Sequence, residues 1–212
     1  MVENYLQQSP LAHLGLKARA ASDNGSDAGV LMGERPLADQ VGLRGEANAK
    51  FLAATEKALG LALPVDANTV NTKGRGKTLT SAIWMGPDEW LITTKPGGGE
   101  GMIKKLRKAL AGIHSSVFDV SDSRTVIALS GLNARDVLMK GCGIDLHHRS
   151  FGPGQCASTT LGLAHVLIHQ TGEDKKTGQP EYHLYVHRSF AEYMWAWLED
   201  AAREYGIKVG AN

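Results

Sequence analysis

One pattern occurs twice in this chain, and that repetition constrains the fold more than any other feature. Leu43-Arg44-Gly45-Glu46-Ala47-Asn48-Ala49-Lys50-Phe51-Leu52 aligns, with one gap, on Leu129-Ser130-Gly131-Leu132-Asn133-Ala134-Arg135-Asp136-Val137-Leu138. Further on, Gly86-Pro87-Asp88-Glu89-Trp90-Leu91-Ile92 aligns on Gly178-Gln179-Pro180-Glu181-Tyr182-His183-Leu184, and a helical pattern follows each. The two separations agree within a short insertion, so order and spacing are both kept. A half of the order strand, helix, strand, strand, helix cannot bury its sheet alone. The repeat therefore predicts an α+β fold of two such halves related by a pseudo-twofold. The halves span about residues 41–113 and 114–212, behind an N-terminal arm and loop over residues 1–40.

The local patterns fill in this frame. Val117 to Gly131 reads as strand, polar turn, strand, because the β-branched run from Thr125 favours a buried pleated segment and the Asp, Ser and Arg before it supply turn chemistry. Helical spacing of apolar residues predicts helices over Asn48 to Leu59, Met102 to Leu110 and Ala134 to Leu138. Ser81 to Thr94 reads as a hairpin turning at Pro87-Asp88, Leu161 to His169 as one strand, and Tyr182 to His187 as another. Lys17 to Asp39 reads as loop with a short strand at Val30-Leu31-Met32. A last helix presents Phe190, Met194, Trp197, Leu198, Ala201 and Tyr205 as its apolar face.

Charge and composition exclude several classes. Lys and Arg total 23 against 22 acids, so the net charge of +1 gives no bulk attraction to nucleic acid or to an anionic membrane. No apolar run reaches the roughly eighteen residues of a membrane span, and no basic segment leads into an apolar core at the N-terminus. A cytoplasmic location is expected. Cys142 and Cys156 are the only cysteines and read as reduced, small core residues.

The motifs that could carry chemistry are weak. Gly74-Arg75-Gly76-Lys77-Thr78 ends like a phosphate-binding loop but has Asn71 where the first glycine belongs, and Gly97, Gly99 and Gly101 miss the dinucleotide spacing. Cys142, His147, His148 and Cys156 lack the short spacing by which one turn offers two ligands to zinc. His165 with His169, and His183 with His187, lie four apart, which in a strand is roughly 13 Å and too far for one metal. Asp119 and Asp122 read as turn residues, and no Ser, His and Asp set emerges. No catalytic, cofactor or metal residue is assigned. The arm carries Leu11, Leu14 and Leu16, and Trp195 falls off the apolar face of its helix, so these four are the expected partner interface.

Phe118-Asp119-Val120-Ser121 through Gly131 to Leu138 resembles the aminomethyltransferase of the glycine cleavage system and its folate-binding relatives. Together with Gly86-Pro87-Asp88-Glu89-Trp90-Leu91 and Gly141-Cys142-Gly143-Ile144-Asp145-Leu146-His147, it looks most like the gamma subunits of heterotetrameric sarcosine oxidases. The small subunit of N-methylglutamate dehydrogenase and a free-standing folate-binding protein are the alternatives. Where the aminomethyltransferases carry an aspartate pair in Gly-Val-Ile-Asp-Asp-Leu-Ile, this chain has Gly162-Leu163-Ala164-His165-Val166-Leu167-Ile168. The resemblance thus implies a folate-binding-domain fold without its catalytic carboxylates. It also implies a cofactor-free chain that assembles with alpha, beta and delta subunits, which would hold FAD, FMN, NAD and tetrahydrofolate.

Overall fold

A computed structural model describes residues 7–22, 28–173 and 178–210. In chain order the first elements are α1 (Leu16–Ser22), β1 (Val30–Glu34), β2 (Asp39–Gly45), α2 (Ala49–Leu59), β3 (Val70–Lys73), β4 (Thr80–Gly86), β5 (Glu89–Thr94) and α3 (Gly99–Ala109). They are followed by β6 (Ser115–Asp119), β7 (Arg124–Ser130), α4 (Ala134–Met139), β8 (Cys156–Leu161), β9 (Ala164–Glu173), β10 (Pro180–His187), α5 (Ala191–Ala202) and β11 (Ile207–Val209). The chain divides into two compact units, named here for their place in the sequence. The central unit is Ala38–Asp122 with Gly154–Ser158, and the flanking unit is Met1–Leu37, Ser123–Pro153 and Thr159–Asn212.

Each unit repeats one topology. The central element order β2-α2-β3-β4-β5-α3-β6 is matched by β7-α4-β8-β9-β10-α5-β11. Read from β6, the central sheet runs β6-β2-β5-β4-β3, and the flanking sheet runs β11-β1-β7-β10-β9-β8. The two differ only by β1, which is inserted between the last strand and the first. A β-bulge is duplicated as well. Glu89 and Trp90 face Gly86 and Trp84 with Met85 left over, and Glu181 and Tyr182 face Gly172 and Gln170 with Thr171 left over.

In the central unit α2 and α3 cover one sheet face. Asn48 starts α2 by accepting the Phe51 N–H at 3.0 Å, which satisfies a donor that the helix itself leaves free. Phe51 then packs on Trp90 at 5.6 Å, within a core of Val41, Leu43, Ile92, Ile103 and Leu106. Trp90 donates its indole N–H to the Pro64 carbonyl at 2.8 Å.

The repeated glycine has a different cause in each unit. A Cβ on Gly45 would meet the Phe51 ring at 2.3 Å. Gly131 adopts φ +112°, and a Cβ there would meet the Gly29 carbonyl oxygen at 2.5 Å.

Several expectations are corrected. Val117 to Gly131 is strand, turn, strand as read, but the two strands are not partners: β6 pairs with β2, and β7 pairs with β1 and β10. Ser121 ties the end of β6 to β2 by accepting the Gln40 N–H at 3.0 Å, so these residues complete the central unit. The stretch after Leu16 holds helix α1, and Leu161 to His169 contains the turn Gly162–Leu163 between β8 and β9. The buried face of α5 is Ala191, Met194, Trp195, Leu198 and Ala202, one residue round from the expected stripe. Trp195 is only 1% exposed, so its ring is core and not free surface, while Phe190 is exposed.

Candidate functional site

The folate-binding resemblance would place carboxylates at His165 and Val166, at the start of β9 directly after the turn Gly162–Leu163. The backbone of this turn is fixed within the flanking unit. The Gly162 N–H donates to the Gly141 carbonyl at 3.0 Å, and the Leu163 N–H donates to the Tyr193 hydroxyl at 2.9 Å. Leu163 is 84% exposed, Ala164 is buried and His165 is exposed. With no carboxylate in this run, the turn does not fit the amine chemistry of a folate cofactor.

A polar constellation lies instead on the flanking sheet face opposite the Tyr182 and Leu184 side chains. Alternation along the strands brings Arg35, Gly33 and Leu31 of β1 and its end, Ala128 and Ser130 of β7, Glu181 and His183 of β10 and His169 of β9 to this face. Leu31, Gly33, Arg35, Ala128, Ser130 and Glu181 line a cavity of about 220 Å³.

His169 and His183 are direct cross-strand partners, their rings edge-on with centroids 6.3 Å apart. His183 Nε2 lies 3.6 Å from a Glu181 carboxylate oxygen. Burial, and then the neighbouring His183, push His169 down to about 3, so its imidazole is neutral, and its Nδ1 is buried without a hydrogen-bond partner. Facing His183, the Glu181 carboxyl is held below the usual carboxylate range despite partial burial, and Arg35 adds to this.

Spacing in the sequence relates these histidines only along their own strands. Pairing across β9 and β10 is what joins them. The signal was present in the repeat, which aligns His183 on the apolar Leu91 of the first copy.

The expected interface residues divide. Leu11 of the arm is fully buried, beside Ser9, which donates to the Glu34 carboxylate, so it belongs to this chain's own core. Leu14 and Leu16 are half-buried. Tyr5, at the head of the expected arm, lies outside the described residues.

Cys156 is buried, within 3.6 Å of the Thr69 and Trp84 carbonyl oxygens, and burial pushes its thiol up to about 12. Cys142 is partly exposed. Asp119 accepts from the Ser121 N–H and hydroxyl, a turn role. Among the described residues, no three His, Cys, Asp or Glu side chains converge as a metal site, and no helix is long and apolar enough to cross a membrane.

The fold is that of the aminomethyltransferases. The aminomethyltransferase T of the glycine cleavage system from Bartonella henselae superposes on 93% of this chain and 58% of its own, with a TM-score of 0.65 at 16% identity. Within that fold the relationship is narrower. The family model described as "Sarcosine oxidase, gamma subunit family" matches residues 44–204. Sarcosine oxidase subunit gamma from an Arthrobacter species is 35% identical over 94% of this chain and 92% of its own. A chain of the heterotetrameric sarcosine oxidase from Corynebacterium sp. U-96, solved with pyrrole 2-carboxylate, matches with a TM-score of 0.81 and 32% identity over 98% of both chains. This chain belongs to the sarcosine oxidase gamma subunit family.

Proposed function

We propose that the chain is the non-catalytic gamma subunit of a heterotetrameric oxidase. It supports assembly of the flavoprotein that demethylates sarcosine to glycine, formaldehyde or methylene-tetrahydrofolate, and hydrogen peroxide. The observation that carries this reading is the end-to-end match, 98% of each chain at a TM-score of 0.81, to a chain of such an assembly. The replacement of the carboxylate pair by His165 and Val166 agrees with a fold kept for assembly. In this reading alpha, beta and delta subunits are the partners, they hold FAD, FMN, NAD and tetrahydrofolate, and the complex is cytoplasmic. The duplicated topology supports descent from one half, with a pseudo-twofold between the copies as part of the proposal. Leu14 and Leu16, half-buried beside the docked arm, are the proposed contacts with a partner.

The test is affinity purification of the tagged chain from its own cells, with peroxide assayed on sarcosine and on N-methylglutamate. Flavoprotein subunits should copurify and sarcosine should be oxidised. Recovery of the chain alone, or oxidation of N-methylglutamate only, would overturn the assignment.

A further inference from the structure

The two copies of the fold serve as controls for one another. In the central unit the sheet face opposite Trp90 and Ile92 is closed. Phe118 lies over Gly42 so closely that a Cβ on Gly42 would meet its ring at 2.4 Å. Ile83 and Leu91 pair across β4 and β5, both buried, and Arg44 pairs with Glu89 opposite it. All of these positions except the glutamate are changed in the flanking unit. Gly33 of the inserted strand stands beside Ala128, where the central unit has Phe118 beside Gly42. His169 and His183 replace Ile83 and Leu91, and Ser130 replaces Arg44 opposite the retained glutamate, Glu181.

Removing the aromatic ring opens the cavity, and removing the arginine leaves Glu181 without a cross-strand cation. Arg35 lines the same cavity and acts on the Glu181 carboxylate through space, without a direct ion pair between them among the described residues. A guanidinium and a carboxylate held apart over a floor of Gly33, Ala128 and Leu31 are complementary to a molecule that carries both opposite charges within a few bonds. A ligand with a carboxylate alone would leave Glu181 unmatched, and an amine alone would leave Arg35 unmatched.

We propose that this pocket binds a small amino-acid zwitterion, its carboxylate on Arg35 and its ammonium or secondary amine on Glu181. The apolar floor limits the ligand to a hydrogen or a few methyl groups beyond the backbone atoms. The inference follows from the pocket's charges and does not depend on the assembly reading.

The full-length chain is titrated by calorimetry with glycine and N-methylglycine up to about 20 mM, a range that detects millimolar dissociation constants. The same samples are followed through the His183 ring resonances by NMR. Both probes should bind and shift those resonances, whereas acetate and methylamine should each bind at least about tenfold more weakly, since each satisfies one charge only. Arg35→Gln and Glu181→Gln should each weaken glycine by about tenfold or more, and Ala128→Leu, which refills the cavity, should abolish binding with an unchanged circular dichroism spectrum. The proposal is overturned if neither zwitterion binds the wild-type chain, if acetate binds as tightly as glycine, or if Glu181→Gln leaves glycine affinity unchanged.

Discussion

His169 is the residue whose environment departs furthest from its chemistry. It is 4% exposed and its folded pKa lies near 3, below the 6.5 of an ordinary imidazole. At neutral pH both folded and unfolded forms are uncharged there, so the group does not alter stability. As pH falls through 6.5 the unfolded chain takes up a proton that the folded chain refuses, so stability drops steadily until about pH 3. Replacing His169 with Leu should therefore reduce the acid sensitivity of the unfolding midpoint by about one proton between those limits, measured by urea denaturation across pH. An unchanged slope would contradict the burial argument.

The cysteines give a second test at this scale. Cys142 should react with a thiol reagent at pH 8 in the folded chain while Cys156 stays silent until denaturant is added. Equal reaction rates would refute it. Both thiols were legible in the sequence only as small residues. What separates them is the packing of β8 beside Thr69 and Trp84, contacts that no local pattern encodes.

At the level of elements, periodicity read the helices well and the strand partners poorly. Helices α2, α3 and α4 follow from apolar spacing within one segment, whereas the strand, turn, strand pattern of β6 and β7 leaves open that they join different sheets, because closeness in sequence says nothing of their partners. The last helix was found with its stripe one residue out of phase. Trp195 and Trp197 both suit a helix, and only the packing of α5 against α4 and β10 selects Trp195 for the core. The repeated glycine was visible in the sequence, but its two causes were not. Gly131→Ala should destabilise the fold by about 2–4 kcal/mol, because the clash is with backbone and φ is positive. Gly45→Ala should cost a similar amount on its own but be partly rescued by Phe51→Leu, since its obstacle is a side chain. Thermal or urea unfolding of the three variants separates the cases, and an unrescued Gly45→Ala would remove the distinction.

For the whole molecule, the proposed interface role of the arm can be separated from its part in this chain's own core. Leu11→Ala should lower stability by about 2–4 kcal/mol, as expected for a buried leucine. Leu14→Ser with Leu16→Ser should change stability by only about 1 kcal/mol or less yet reduce recovery of partner subunits in a pull-down. Undiminished recovery would show that the arm serves only its own chain.

The place of β1 also bears on how the chain is made. The central unit is nearly continuous in sequence, and its last segment ends at Ser158. It can begin to fold on the ribosome while later residues are still being translated. The flanking sheet cannot, because β1 sits between β7 and β11, and the latter is completed only at Val209. From its own synthesis until then, Val30–Glu34 is a strand without both neighbours, and Leu31 and Met32 within it are open to wrong pairings. The interval over which this chain most needs a chaperone, or a waiting partner, is therefore set by the distance in sequence between those two strands.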